Sequence, residues 1–238
     1  MTSVSQHYAG FLAPIYVWMA GGLEHAFALG ASDVSEFLGS ARYAVDLGAG
    51  FGMHTIPLAR AGTSVLAVDT SQELLSHLAL CSPGQAVQMV QADLLDFPSH
   101  LRDSPDLILC MGDTLTHLPT QSHVEQLIRA VAASLRPGGT FLATFRDYRT
   151  LPTGDNRFIP VRSDDCRIHT CYLEELPEHV LVHDIVHERD GDHWRMRVSS
   201  YQKCRLYPGA IVAMATDLGL TCSVEPGPRG MLKLRADA

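Results

Sequence analysis

The chain has 238 residues, of which 46% are hydrophobic and 18% are charged. This length and composition fit one large α/β domain, or such a domain with a small appendage. The formal net charge is −8, and no stripe of lysine and arginine runs along the chain. Both features argue against a protein that holds nucleic acid through its phosphates.

The cysteines and the N-terminal segment indicate the cellular compartment in which the protein is expected. The six cysteines are scattered, and Cys166 and Cys171 lie five residues apart in a predicted strand. Their side chains then point to opposite faces, so neither a disulfide nor a shared metal ion is expected. The apolar run of residues 11–20 is too short to span a bilayer and contains Pro14. Without a leader pattern either, we expect a cytoplasmic protein with reduced thiols and no membrane partner.

Residues 1–40 are predicted to form an N-terminal helical lid. A break is expected at Pro14, a second helix over residues 23–29, and a third helix from Ser32 or Asp33. The segment carries three large aromatic side chains that either pack on a sheet or cover a ligand, Tyr8, Tyr16 and Trp18.

A glycine-rich turn joins a predicted strand to a predicted helix. The strand covers residues 43–47, the helix covers residues 53–61, and residues 46–52 read D-L-G-A-G-F-G. Such a turn leaves backbone N–H groups free and lets a nucleotide-like ligand approach closely. The dinucleotide fingerprint G-x-G-x-x-G would need glycine at position 53, where the chain has Met53.

The D-x-G-x-G-x-G pattern resembles the first motif of class I S-adenosylmethionine-dependent methyltransferases. The resemblance implies that Asp46 helps to hold the amino end of the methionine moiety of this cofactor. Aromatic side chains often cover the cofactor in the family, so Tyr16 and Trp18 are assigned to the cofactor and Tyr8 to the substrate. The loop positions that would lie against the cofactor are Gly48, Ala49, Gly50 and Gly52.

Two further acids stand at predicted strand ends. Asp69 and Thr70 follow a strand over residues 64–68, about twenty residues beyond the loop, where a carboxylate suits the two ribose hydroxyls. A cap for the next helix is the other interpretation of Asp69. Asp93 and Leu94 follow the third predicted strand, and the resemblance implies that they meet the adenine ring.

Strands and helices alternate through residue 145, which predicts a doubly wound, seven-stranded, mostly parallel sheet. Residues 41–150 would form the cofactor-binding core, with strands at residues 106–110 and 140–145. Ligands of such sheets lie at the carboxyl ends of the strands, where all of the acids above fall.

Beyond the fourth strand the resemblance narrows to small-molecule N-methyltransferases related to glycine N-methyltransferase. Their stretch G-N-S-F-A-H-L-P corresponds to G-D-T-L-T-H-L-P here, so Asp113 stands where the family has Asn. The resemblance places His117 and Met111 beside the cofactor and makes Arg146 the partner of a substrate carboxylate. It covers residues 43–150 clearly and the remainder hardly at all.

Residues 151–206 alternate apolar and polar side chains in four stretches, as half-exposed antiparallel strands do. We expect an antiparallel β insertion after the fifth strand that forms a second lid, with a hairpin turn at residues 189–192. Residues 207–238 would then add a helix and two strands that close the core, one of them antiparallel.

Three histidines in the predicted insertion are candidate ligands of a metal ion. His179, His183 and His187 share one face of a strand, with His169 nearby in sequence. Residues four apart along a strand are separated by about 13 Å, which is too far to share one ion. No metal site is predicted.

Methyl transfer from a sulfonium is an in-line displacement in which the protein mainly positions donor and acceptor. A neutral amine needs no strong base, whereas a hydroxyl needs one within hydrogen-bond reach. We therefore predict N-methylation of a small amine carrying an anionic group that the planar Arg146 side chain binds. His117 and Asp113 are the candidate catalytic residues.

Several alternatives stay open at this stage. The chain would be a small-molecule O-methyltransferase if His117 or Asp113 acts as a base, or a cofactor-binding partner subunit without turnover. His117 could instead only pack, and Arg146 could pair with Asp147. A nicotinamide dehydrogenase is disfavoured by Met53. The acceptor and the oligomeric state, including a homodimer, are left open.

Overall fold

The computed structural model describes residues 3–238, and their strands form two sheets. Numbered along the chain, the strands are β1 (Tyr43–Leu47), β2 (Ser64–Asp69), β3 (Val87–Gln91), β4 (Leu107–Cys110), β5 (Thr140–Phe145), β6 (Phe158–Ser163), β7 (Arg167–Glu175), β8 (His179–Asp190), β9 (His193–Cys204), β10 (Thr221–Pro226) and β11 (Leu232–Asp237). One sheet has seven strands in the order β10-β11-β5-β4-β1-β2-β3, and the other has four in the order β6-β7-β8-β9.

The helices precede, connect and follow these strands. They are α1 (Val4–His7), a π-helical turn (Tyr8–Leu12), α2 (Ala13–Met19), α3 (Leu23–Asp33), α4 (Thr55–Arg60), α5 (Gln72–Cys81), α6 (Gln121–Ser134) and α7 (Pro208–Asp217). Short 3₁₀ turns cover Ser35–Phe37, Leu94–His100, Thr114–His117, Gly154–Arg157 and Pro228–Gly230. None of the helices within residues 3–238 is long and apolar enough to cross a membrane.

The seven-stranded sheet is parallel except for one strand. β1 pairs in parallel with both β2 and β4, whereas β11 runs antiparallel to β5 and to β10. Every residue of β1, β4 and β5 is buried, as expected for strands covered by helices on both faces. This arrangement confirms the predicted doubly wound, mostly parallel sheet with one antiparallel strand.

The N-terminal segment is helical as predicted, but its breaks differ from the prediction. Pro14 lies in the first turn of α2, where a missing N–H costs no helix hydrogen bond, so the expected break becomes a π-helical turn before it. Helix α3 continues to Asp33, and no third helix starts at Ser32 or Asp33. Its Gly30 lies so close to the loop before α4 that a Cβ there would meet the Met53 carbonyl oxygen at 1.9 Å.

Residues 158–204 form the predicted antiparallel insertion. β6, β7, β8 and β9 pair in sequence, and Gly191, with a φ of +61°, turns the hairpin between β8 and β9. Apolar side chains of this sheet pack on the segment that follows β5 and on the N-terminal helices. The insertion and the N-terminal helices thereby cover the same edge of the large sheet. The division into four segments stays a prediction.

Candidate active site

The glycine loop lies between β1 and α4, and its glycines have backbone angles that only glycine adopts easily. Gly48, Gly50 and Gly52 have φ values of +74°, +54° and +93°. A Cβ on Gly48 would lie 2.5 Å from Thr114, and a Cβ on Gly52 would lie 2.4 Å from Leu78. At Gly50 the nearest atom would be 3.8 Å away, so the loop is open there.

The loop N–H groups are tied to β2. Those of Gly48 and Ala49 both donate to the Val68 carbonyl, at 2.8 and 3.1 Å, and that of Gly50 donates to Asp69 Oδ2 at 2.8 Å. The expectation that the turn leaves its N–H groups free is therefore wrong at these three positions. Missing Cβ atoms, rather than a row of donors, make room for a ligand at this loop.

Asp46 lies in β1 and is 1% exposed. The Thr55 hydroxyl at the start of α4 donates to Asp46 Oδ2 at 2.7 Å. Burial raises the pKa of Asp46. The carboxylate therefore joins the strand to the helix beneath the loop, and its contact with a methionine moiety stays a prediction.

Asp69 ends β2 and binds backbone on both sides of it. Besides the Gly50 N–H, it accepts the Ser71 N–H at 2.7 Å, and burial raises its pKa. The cap of α5 is Ser71, whose hydroxyl accepts the Leu74 N–H at 3.3 Å. Asp69 is thus not the N-cap residue, and its half-buried carboxylate lies directly beside the glycine loop.

Asp93 is the corresponding acid after β3. It is exposed, and its Oδ1 accepts the Leu95 N–H at 2.9 Å, which starts a 3₁₀ turn. Leu94 beside it is buried in the core, and Thr70 after β2 is exposed. Because β1, β2 and β3 are parallel neighbours, the three acids lie at the same edge of the sheet.

Two of the N-terminal aromatic side chains lie over this edge. The Tyr16 ring is 5.8 Å from the Phe51 ring of the glycine loop and also 5.8 Å from Tyr8, whose ring lies 5.3 Å from His117. Burial raises the pKa of both tyrosines, and the Asp69 charge adds to the rise. Tyr8 and Tyr16 therefore bridge the predicted cofactor and acceptor sides.

Trp18 does not join them. Its indole N–H donates to Asp164, and its ring lies under the guanidinium groups of Arg162 and Arg167, at 5.6 and 4.9 Å. Two residues apart on α2, Tyr16 and Trp18 point in different directions. The Trp18 side chain packs on the β insertion, and its predicted cofactor contact stays a prediction.

Asp113 is the centre of the predicted acceptor side, the part of the site where the methyl acceptor is expected to bind. It has a φ of +75° and is 4% exposed. Its Oδ1 accepts the Arg146 N–H at 2.8 Å, and its Oδ2 accepts the Tyr148 hydroxyl at 3.2 Å and the Lys203 ammonium. Burial would raise the pKa of Asp113, but the Lys203 charge holds it below its usual value. Asp113 and Lys203 form a buried ion pair.

Lys203 was not singled out from the sequence. It comes from β9, is 7% exposed, and its ammonium lies 5.8 Å from the Tyr201 ring. Three signals could have found it. Alternation along β9 places Tyr201 and Lys203 on one face, and Lys203 is one of only two lysines in the chain. An Asp at 113, where the family has Asn, also calls for a cation.

His117 lies opposite this pair. Its ring is 5.8 Å from Tyr201, and its Nε2 is buried without a hydrogen-bond partner among residues 3–238. Burial, assisted by the Lys203 charge, lowers the pKa of His117 to about 3. The imidazole is neutral at physiological pH and is a weak base.

Arg146 follows β5 and is exposed. Asp147 pairs with Arg149 at 2.5 Å, so the alternative ion pair between Arg146 and Asp147 is not formed. Burial raises the pKa of Tyr148, and the Arg146 charge opposes this rise. The same charge also acts to lower the pKa of Lys203. The guanidinium therefore faces the acceptor side. Met111, directly after β4, is buried in the core, and its predicted cofactor contact stays a prediction.

Comparison with known sequences finds methyltransferases that resemble part of this chain. Residues 44–139 match the family described as a methyltransferase domain. Glycine/sarcosine N-methyltransferase of Aphanothece halophytica is 26% identical over 110 residues, which are 45% of this chain and 42% of that protein. Ubiquinone biosynthesis O-methyltransferase of Xanthomonas campestris pv. campestris is 36% identical over 104 residues, 42% of this chain and 41% of that protein. The chain thus spans less than half the length of these curated relatives.

The fold has a counterpart over its whole length. The CcbJ methyltransferase of Streptomyces caelestis superposes with a TM-score of 0.80, at 23% identity, over 98% of each chain. This likeness includes the β insertion and the N-terminal helices, which the family match does not reach. Residues 44–139 match a methyltransferase domain, and the chain as a whole has the fold of class I S-adenosylmethionine-dependent methyltransferases.

Proposed function

We propose that the protein transfers a methyl group from S-adenosylmethionine to the nitrogen of a small amine that carries an anionic group. One observation supports S-adenosylmethionine as the cofactor. Asp46, Asp69 and Asp93 lie at one edge of the sheet, around a glycine loop that is open at Gly50. Asp69 suits the ribose hydroxyls, and Asp93 with Leu94 suits the adenine ring. In the reaction the sulfur–methyl bond breaks, a nitrogen–carbon bond forms, and S-adenosylhomocysteine leaves.

The titration behaviour of the acceptor side supports an amine over a hydroxyl. A general base for a hydroxyl acceptor works best with a pKa near the working pH. His117, with a pKa of about 3, and Asp113, paired with Lys203, are both weaker bases than that. A neutral amine attacks with its own lone pair and afterwards releases a proton to solvent.

The anionic group of the substrate is assigned to Arg146. The guanidinium makes no ion pair within residues 3–238, and its planar fork suits a carboxylate, sulfonate or phosphate. Asp113 uses both oxygens to hold the Arg146 backbone, Tyr148 and Lys203. Its role is therefore positioning, while Tyr8, Tyr201 and His117 supply the walls near the acceptor.

A substrate panel tests the proposal against its rivals. The purified protein is incubated with labelled S-adenosylmethionine and with matched pairs of compounds, an amino acid-like amine and the hydroxy acid of the same shape. We expect label on the amine alone, and less on a neutral amine that lacks the anion. Label on the hydroxy acid would make the protein an O-methyltransferase. Tight cofactor binding without any product would favour a partner subunit without turnover. A homodimer stays a prediction.

A further inference from the structure

A second cluster of reactive side chains lies beneath the N-terminal helices, on the inner face of the β insertion. His169 and Cys171 belong to β7, Asp184 to β8, and His7 to α1. His7, His169 and Asp184 are at most 2% exposed, and Cys171 is half-buried. None of these residues has a part in the proposed methyl transfer.

Their ligand atoms are close enough to share one ion. His169 Nε2 and Cys171 Sγ lie 2.7 and 2.8 Å from Asp184 Oδ1, and His7 Nε2 lies 2.9 Å from Asp184 Oδ2. Ligand atoms of His169, Cys171 and Asp184 all lie within 4.8 Å of one another. The sulfur and the His169 nitrogen are 3.8 Å apart. A tetrahedral zinc ion, with bonds of about 2.3 Å to sulfur and 2.0 Å to nitrogen, holds such a pair about 3.5 Å apart.

His169 turns its Nε2 toward the cluster, whereas its Nδ1 lies on the other side of the ring and is buried without a hydrogen-bond partner among residues 3–238. A divalent cation that replaces the thiol proton would be balanced by the thiolate and the carboxylate, with the two imidazoles neutral.

We propose that His7, His169, Cys171 and Asp184 bind a Zn²⁺ ion, which ties α1 to the β insertion. A thiolate with two imidazoles and one carboxylate selects zinc-like ions over Mg²⁺ and Ca²⁺, which prefer oxygen ligands. Four protein ligands leave no open position, as in structural sites. On binding, the Cys171 proton leaves to solvent and no other bond changes.

The site would stiffen one wall of the acceptor side. The His7 ring stacks on Tyr201 with centroids 4.2 Å apart, and the Tyr201 ring lies 5.8 Å from His117. An ion that fixes His7 therefore fixes Tyr201 from behind. The sequence hides this arrangement, because His7 lies 177 positions from Asp184 and the neighbouring histidines of β8 face away.

Cobalt is the spectroscopic probe, because a thiolate bound to Co²⁺ gives a charge-transfer band. The full chain is stripped with a chelator and titrated with Co²⁺ and then with Zn²⁺. We expect the band to saturate at one equivalent and to disappear when Zn²⁺ displaces Co²⁺. One proton per ion should be released in weakly buffered solution, and hydrogen exchange of α1 should slow.

Substitutions locate the ligands. Cys171→Ser should abolish the charge-transfer band, and His7→Gln should weaken Co²⁺ binding while the band persists at high Co²⁺. Cys166→Ser removes an exposed thiol just before β7 and is the matched control. It should change neither the charge-transfer band nor the affinity for Co²⁺.

Three results would overturn the proposal. They are a wild-type protein without the band, a band that survives in Cys171→Ser, or a band lost in Cys166→Ser. Should Cys171→Ser not fold, the wild-type titration and His7→Gln decide, since the proposal requires the band in the first and weaker binding in the second.

Discussion

The cofactor side and the acceptor side of the site are built in different ways. The cofactor side comes from one continuous stretch, residues 46–93, in which a loop and two strand ends follow in order. The acceptor side joins residues far apart in the chain, such as Asp113 and Lys203, which are 90 positions apart. A family motif can encode the first side locally, whereas the second depends on how the insertion folds back.

The two sides also differ in how their acids are held. Asp69 and Asp93 accept hydrogen bonds from backbone N–H groups and not from a buried cation, so replacing either side chain leaves no unpaired buried charge. The charge of Asp113 is instead balanced by that of Lys203. Removing either side chain would leave the other charge buried and unpaired. Substitutions on the acceptor side should therefore cost stability, and those on the cofactor side mainly affinity.

The largest effect is expected from Lys203→Met. It leaves the Asp113 carboxylate buried without its cation, which should lower the free energy of unfolding by about 3–5 kcal/mol. Adding Asp113→Asn should recover much of the loss, because no buried charge is then left. Urea unfolding of the two single variants and the double variant measures this.

The chain offers its other lysine as the control for that experiment. Lys233 pairs with the exposed Glu225 at 3.1 Å. Lys233→Met should cost no more than about 1 kcal/mol, as surface pairs do. If Lys203→Met costs equally little, the ion pair with Asp113 does not hold the acceptor side together.

Arg146→Ala should separate the two sides kinetically. Loss of a charged hydrogen bond to the substrate, worth about 1.5–3 kcal/mol, should raise KM for the acceptor by about 10–100-fold. Binding of S-adenosylhomocysteine should stay unchanged. Arg149→Ala, which only breaks the pair with Asp147, is the matched control and should leave KM near that of the wild type. Loss of cofactor binding in folded Arg146→Ala would show that its role is misassigned.

The smallest effect is expected in the pH profile. Because the pKa of His117 is lowered to about 3, this side chain stays neutral from pH 5 to pH 9 and contributes no step there. With an amine acceptor, kcat/KM should rise with pH until the amine itself is neutral. His117→Asn should lower the rate without moving this inflection. An inflection near pH 6–7 that vanishes in His117→Asn would instead identify His117 as a base.

Local signals explain what could be predicted from the sequence. β1 occupies the predicted residues, Tyr43–Leu47, because a fully buried apolar run is stopped by Gly48. Helix α4 starts at Thr55 rather than at residue 53, since the loop makes further turns before the helix. The alternating strands of the insertion were equally visible, because β7 and β8 each bury one face more than the other.

What could not be predicted depends on side chains that meet only in the fold. Lys203 matters because β9 returns beneath Asp113; the alternation along β9 indicates which face Lys203 lies on, but not that Asp113 is its partner. Trp18 packs on the insertion while Tyr16 faces the glycine loop, because positions two apart on a helix point in different directions. Motifs therefore indicate residues that follow one another along the chain, and they miss a partner such as Lys203 that only the fold brings close.

The central claim is that the carboxyl edge of the sheet holds S-adenosylmethionine through Asp69. Calorimetric titration with S-adenosylhomocysteine and with NAD tests it for the wild type, Asp69→Asn and the control Asp103→Asn, an exposed acid before β4. We predict binding of S-adenosylhomocysteine alone, weakened about 10–100-fold by Asp69→Asn and unchanged by Asp103→Asn. No binding by folded wild-type protein, or equal binding by Asp69→Asn, would contradict it.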